Sequence, residues 1–153
     1  MPEAQAQPAA AAAPEDPFRN FQFHLEIAGV AAGHFTEVAG LGVRVHPIRY
    51  REGGTGQIVR ALPGPVEYAE VTLRYGLTRS RDLWTWMQAS VQGRVERRNI
   101  SIMMLDTDGA TETLRWNLIN AWPSEWRGAP LDAMGREVAV ETLKLAFDQL
   151  DRA

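Results

Sequence analysis

The sequence predicts a mainly β protein, an antiparallel sandwich or barrel of about seven strands with one packed α-helix. Apolar and polar side chains alternate repeatedly along the chain. Phe21, Phe23, Leu25 and Ile27, for example, are set against Gln22, His24 and Glu26. Only Ser80 to Gly93 carries helical spacing instead. Strands and helices do not alternate, which excludes a parallel doubly wound sheet.

The first strand, about Phe21 to Ile27, is followed by a turn at Gly29 and Gly33. A second extended stretch, about Phe35 to Val45, contains Gly40 and Gly42, which mark a bend or bulge. A third alternates Ile48 and Tyr50 against Arg49 and Arg51. The glycine and proline signals Glu52-Gly53-Gly54-Thr55-Gly56 and Leu62-Pro63-Gly64-Pro65 predict a long ordered loop over about 52–65. Such loops in compact domains are usually functional. Val71, Leu73 and Tyr75 then alternate with Glu70, Thr72 and Arg74 as a half-buried strand.

In the helix, Leu83, Trp84, Met87 and Val91 fall on one stripe, Ser80 suits the N-cap, Asp82 the first turn and Gly93 the C′ position. Trp86 lies off that stripe and is expected outside the local core. Strands resume over Ile100 to Leu105, and Asp106-Thr107-Asp108-Gly109 reads as a hairpin turn. Leu114, Trp116, Leu118 and Trp122 share one parity, so an unbroken strand would place Trp122 on the apolar face, where it and Trp126 would anchor packing. Val138 to Leu150 reads as a strand whose end also suits a helix.

The 153 residues fit one domain. Residues 1–17 hold seven alanines, four prolines and three acidic residues without a base, and are expected to form a disordered extension to a domain at 18–153. That domain is charge-balanced, with 16 residues of each sign. A net charge of -3 argues against a sequence-specific nucleic-acid binder. With 0 Cys, disulfides and thiolate metal sites are excluded. The longest apolar run is Ala9 to Ala13, so no membrane insertion is expected, and no secretory signal pattern is visible.

No catalytic constellation emerges. His24, His34 and His46 are too widely spaced for a local ligand pair, and Asp106 to Gly109 lacks the remaining positions of a calcium loop. Gly54-Thr55-Gly56 has Val59 where a third glycine belongs, and Lys144, the only lysine, excludes a Walker loop. No Gly-x-Ser-x-Gly elbow occurs. No enzyme activity, cofactor or metal is expected. Two arginine surpluses stand out: Arg44, Arg49, Arg51 and Arg60 around the long loop, and Arg94, Arg97 and Arg98 after the helix. They suit a solvated surface, local pairing with Glu52 and Glu96, or ion pairs to a neighbouring subunit.

An ordered series of motifs carries a family resemblance across about 20–150. It begins with Phe21 to Ile27, Gly33-His34-Phe35-Thr36-Glu37-Val38-Ala39-Gly40-Leu41 and Ile48-Arg49-Tyr50-Arg51-Glu52-Gly53. Leu62-Pro63-Gly64, Tyr68, Val71-Thr72-Leu73 and Gly76-Leu77-Thr78 follow. Trp84, Trp86, Asn120-Ala121-Trp122-Pro123, Trp126 and Glu137 to Leu143 complete it. The chain resembles the phage tail tube proteins, particularly the inner tube subunits of extracellular contractile injection systems. It departs from the family pattern at Asn99-Ile100, Asp132 and Arg136, which bears on subunit type, main tube against a specialised or initiator ring.

The resemblance implies a structural virion-type component: hexameric rings of β-sandwich subunits, stacked as a conduit for effector cargo or DNA. Its implied partners are further copies of itself, a contractile sheath protein, baseplate hub and terminator or cap proteins, and cargo in the lumen. Assembly would be cytoplasmic, followed by incorporation into a phage tail or an injection particle. It also implies that Tyr50, Arg51, Glu52, Gly53, Gly54, Arg60, Leu62, Pro63 and Gly64 form an inter-ring loop. Trp84, Trp86, Asn120, Trp122, Pro123, Trp126 and Glu137 would be structural or interface residues. Two alternatives stay open, a haemolysin-coregulated-type tube protein of type VI secretion and a monomeric β-barrel ligand binder.

Overall fold

Strand pairing divides the chain into a seven-stranded sheet and a separate two-stranded ribbon. The computed structural model describes residues 22–28, 35–51, 53, 58–77 and 79–153. The expected 1–17 extension and the Gly29/Gly33 turn lie outside them. The strands are β1 (Phe23–Ile27), β2 (Phe35–Ala39), β3 (Val43–Arg51), β4 (Val59–Tyr68), β5 (Val71–Gly76), β6 (Arg98–Leu105), β7 (Glu112–Arg127), β8 (Val140–Ala146) and β9 (Gln149–Arg152), with one helix, α1 (Asp82–Val91). All pairings are antiparallel. The main sheet runs β1-β6-β7-β8-β5-β2, with β9 alongside β7; β3 and β4 form the ribbon.

Nine described strands replace the expected seven for three local reasons. Gly40 takes a φ of 91° and ends β2, so Val43 and Val45 join Ile48 and Tyr50 in β3. Most of the expected 52–65 loop is strand β4. The Val138–Leu150 stretch splits into β8 and β9 and contains no helix.

Period-two burial holds in the core strands. Leu25 and Ile27 of β1, Ile100 and Ile102 of β6, Val71, Leu73 and Tyr75 of β5, and Leu143 and Leu145 of β8 form one buried cluster. β7 breaks that period: Leu118 and Ala121, three residues apart, are both buried. Between them Asn120 has a φ of 55°, a left-handed conformation that turns the strand and reverses its facing. The first half of β7 pairs with β6 and β9, and the second half with β8. Trp122 therefore does not continue the Leu114–Leu118 face. Ala121 and Pro123 are buried instead, and Trp122 is half-buried.

The helix reverses the expected roles of its two tryptophans. Trp86 is 1% exposed and belongs to the core, whereas Trp84 is 42% exposed. The buried stripe is Leu83, Trp86, Met87 and Ser90, rotated from the stripe that Trp84 and Val91 define. Trp86 Nε1 donates to the Glu96 carbonyl at 2.7 Å, which satisfies the indole's polar atom. The N-cap position falls on Arg81 rather than Ser80, without a side-chain cap. The C-terminus ends as expected at Gly93, with φ 79°. Gly93 N–H donates to the Ser90 carbonyl and Arg94 N–H to the Ala89 carbonyl, the two bonds of a Schellman motif.

Candidate assembly interface

Among the described residues, the β3–β4 ribbon pairs with no other strand. A two-stranded hairpin is only marginally stable alone, so an ordered ribbon of this length needs support from outside its own ladder. Its base is tied to the body by Ala69 N–H donating to the Gly42 carbonyl at 3.0 Å, and by the Tyr68 ring lying 5.6 Å from that of Phe147. At Gly40 a Cβ would come within 2.5 Å of the Glu70 carbonyl oxygen, so the base can close only around a glycine.

The side chains of the ribbon show where further support must come from. Val43, Val45, Ile48, Tyr50, Val59, Leu62 and Val66 are each between 38 and 58% exposed. Val45 stands opposite Val66, and Ile48 opposite Leu62. Positions 45 and 48 differ in parity, so the two apolar pairs lie on opposite faces of the ribbon. Full burial of such a side chain contributes about 1.5–3 kcal/mol. The protein's own fold leaves most of that gain unrealised on both faces.

A bulge shapes the middle of the ribbon. Between the Val45–Val66 and Pro47–Pro63 pairs, His46 alone faces Gly64 and Pro65. A Cβ on Gly64 would lie 2.4 Å from the His46 carbonyl oxygen, so only glycine permits that approach. The prolines lack ladder donors and suit this irregular position. His46 Nε2 and Glu67 Oε2 meet at 2.5 Å across the strands. Among the described residues no cluster of His, Asp or Glu could hold a metal ion.

The expected inter-ring residues are thus parts of a ribbon rather than of a loop. Tyr50 and Arg51 lie on β3; Arg60, Leu62, Pro63 and Gly64 lie on β4; Gly53 is in the connecting turn. Tyr50 pairs with Arg60, and Arg51 with Val59. Glu52 and Gly54 fall outside the described residues. Val43, Val45, Val59 and Val66 join the expected residues on this ribbon. Their β-branched spacing around the prolines was the available signal.

The remaining expected residues form a second group at the bend of β7. Asn120 Nδ2 donates to Asp148 Oδ2 at 3.1 Å, and Asn120 N–H to Asn99 Oδ1 at 3.2 Å. Asn99 stood out in the sequence only as a departure from the family pattern and Asp148 not at all, although short polar residues inside strand patterns mark such corners. Pro123 is buried beside the bend. Trp126 Nε1 donates to Glu141 Oε2 at 3.3 Å, and its ring meets Trp84 edge-on at 4.8 Å. Burial, then the negative charge of Glu141, pushes the Tyr75 phenol above its usual range. Glu137 is exposed in the connection to β8, away from the bend in sequence.

The family profile of the T4-like virus tail tube protein gp19 matches residues 19–151. The chain belongs to this tail tube family. No curated protein sequence matches it. Among solved structures, it is similar to a chain of the anti-feeding prophage tube-terminating cap, with 27% identity and a TM-score of 0.85, covering 97% of this chain and 99% of that one. A chain of the sheath–tube complex of an extracellular contractile injection system, PVC, in its extended state is 25% identical with a TM-score of 0.82, covering 91% and 93%. Hcp1 from Flavobacterium johnsoniae shares the fold at 14% identity and a TM-score of 0.61, covering 86% and 94%. The tail tube family accordingly supplies the ribbon's context: this is a mainly β structural protein of a phage-tail-like assembly.

Proposed function

We propose that the protein is a subunit of the inner tube of a contractile injection system or phage tail, closing into hexameric rings that stack into a conduit for effectors or DNA. One observation carries the reading beyond family membership. The β3–β4 ribbon carries apolar pairs on both faces and finds no partner strand among the described residues. We assign it to contacts between stacked rings, with Tyr50, Arg51, Arg60, Leu62, Pro63 and Gly64 on it. β1 and β2 end the main sheet, and a neighbour paired there would extend it into a barrel without exposed edges. A head-to-tail contact of this kind closes after a whole number of copies. Residues 18–153 would act as one tail-tube domain with no enzymatic role, assembled in the cytoplasm into a particle with sheath, hub and terminator proteins.

A monomeric ligand-binding reading has one observation in its favour, a cleft of about 470 Å³ lined by Phe23, Val38, Leu41, Ile102, Met104 and Trp116. The cleft lies at the seam between β1 and β2, where the proposed neighbour would pair, and this favours the assembly. Negative-stain imaging and the solution mass of the purified chain decide. Rings and tubes support the tube reading; a monomer near 17.0 kDa at every concentration overturns it. Replacing Glu52–Pro63 by a Gly-Ser turn should leave folded subunits or single rings and abolish long tubes.

A further inference from the structure

The ribbon and the β7–β8 connection leave the body at opposite ends of β5. Ala69 N–H ties the ribbon base to Gly42 just before Val71, where β5 begins. Leu77 N–H, just past Gly76 at the other end, donates to the Ala139 carbonyl of the connection at 2.9 Å. Six residues of extended strand put about 17 Å between the two points. The connection, residues 128–139, carries Leu131, Met134 and Val138 at 85, 88 and 79% exposure. Among the described residues no other large apolar side chain is as exposed.

One face of the ribbon is basic. Alternate residues of β3 share a face, so Arg49 and Arg51 stand with Val43 and Val45, opposite Ala61 and Val59. No described acidic residue lies on that face, since Glu67 stands opposite Arg44 on the other. Arg49 and Arg51 are exposed and make no ion pair among the described residues.

The connection supplies the opposite charge. Asp132, Arg136 and Glu137 are exposed there, two acids to one base. Asp132 Oδ1 accepts from the Met134 N–H at 3.0 Å, and the Asp132 carbonyl accepts from the Gly135 N–H at 3.0 Å. An asparagine oxygen would hold that turn equally well, so local structure does not call for the charge of Asp132. Glu137 makes no ion pair among the described residues.

We infer that the β7–β8 connection of one copy receives the basic ribbon face of a second copy, with Asp132 and Glu137 selecting for Arg49 and Arg51. The inference rests on the stacking reading and adds the receiving site and a charge rule for which subunit fits. A basic apolar arm at one end and an acidic apolar surface at the other make a head-to-tail contact between identical chains. Burial of the valines, Leu131 and Met134 favours association without choosing a partner, because it is non-directional. The charges choose. A neutral ribbon face would leave two carboxylates uncompensated, and an acidic one would be repelled. A ring of this chain therefore accepts its own kind over a related subunit whose ribbon lacks these arginines.

Charge reversal in the full chain tests this. Arg49→Glu/Arg51→Glu and Asp132→Arg/Glu137→Arg should each leave closed rings and raise the concentration needed for tubes at least about tenfold. A chain with all four substitutions should regain tubes, because opposite charges again meet at every junction. Labelled rings of that chain, mixed with wild-type rings, should sort into separate tubes. Asp132→Asn/Glu137→Gln keeps the turn, so it should weaken stacking by a smaller factor at an unchanged melting temperature. Tubes at wild-type concentrations from any variant altered at one surface alone overturn the inference. Failure of the fourfold variant to recover, or mixed tubes in the labelled experiment, does the same. Loss of rings on reversing Asp132 and Glu137 would place the connection between lateral neighbours and overturn it too. A wild-type chain that forms no tubes overturns the stacking reading itself, before any variant is compared, and this inference with it.

Discussion

Asn120 and Asp148 lock two strands at the same bend. Asn120 Nδ2 reaches Asp148 Oδ2 at 3.1 Å, and the Asp148 N–H donates to the neighbouring Ile119 carbonyl at 3.0 Å. β7 turns at Asn120, and its antiparallel partner breaks between β8 and β9 at Asp148. The two halves of the main sheet thereby change direction together.

This pairing predicts an ordered mutational series. Asn120→Gly should tolerate the left-handed backbone and lose the side-chain hydrogen bond, costing about 0.5–1.5 kcal/mol. Asn120→Val should cost about 1–3 kcal/mol more, because a β-branched residue is strained at that φ. Urea unfolding gives the order; equal losses for the two variants would count against the strain argument.

The two tryptophan classes should separate in stability. Trp86→Ala removes a fully buried indole and should cost about 3–5 kcal/mol. Trp122→Ala, on a half-buried side chain beyond the bend, should cost clearly less. Thermal unfolding of both variants checks this, and a Trp122→Ala loss equal to that of Trp86→Ala would return Trp122 to the core.

Gly64→Ala probes the ribbon alone. The added methyl meets the His46 carbonyl oxygen, so the ribbon must shift locally while the core strands stay paired. The melting temperature should fall by little and tube length should collapse in negative stain. Normal tubes would remove Gly64 from the assembly surface.

Acid should act on the β6–β7 turn through Asp108. Its carboxylate accepts hydrogen bonds from the Thr111 hydroxyl and the backbone N–H groups of Thr111 and Ala110, which lower its pKa from 3.8 to about 2. A depressed folded pKa contributes stability that is complete above 3.8 and disappears as pH falls through 2. Asp108→Asn should abolish that pH dependence. Comparing the two proteins from pH 5 to pH 2, the stability gap should narrow steadily; a constant gap would contradict the assignment.

What was legible in the sequence follows from which side chains face one environment. Val71, Leu73 and Tyr75 bury one face and so display their period. Gly93 and the Asp106–Gly109 turn are read from backbone demands that few residues meet. The ribbon has apolar pairs on both faces and prolines at its bulge, so beyond Ile48 to Arg51 it carried turn signals rather than alternation. In α1, stripes through Trp84 and through Trp86 fit helical spacing about equally, and packing on β7 decides between them. Asn120 concealed the bend because a single left-handed residue shifts parity without changing the apolar content. The family resemblance picked this segment out by its position, while its form as paired strands emerged only from the fold.

The separation of ribbon from body bears on polarity. In a stack built through such an arm, each ring gives arms to one side and receives them on the other. The two ends of the filament are therefore chemically different: one terminates in uncovered aliphatic fingers, the other in vacant receiving surface. Growth would be directional, with unequal addition rates at the two ends, and a protein that stops elongation would have to match the end it meets. Free subunits carry the same uncovered fingers before they add. Under the proposed stacking, their solubility, and with it the concentration at which new filaments nucleate, depends on the same valines and leucine that would join the rings.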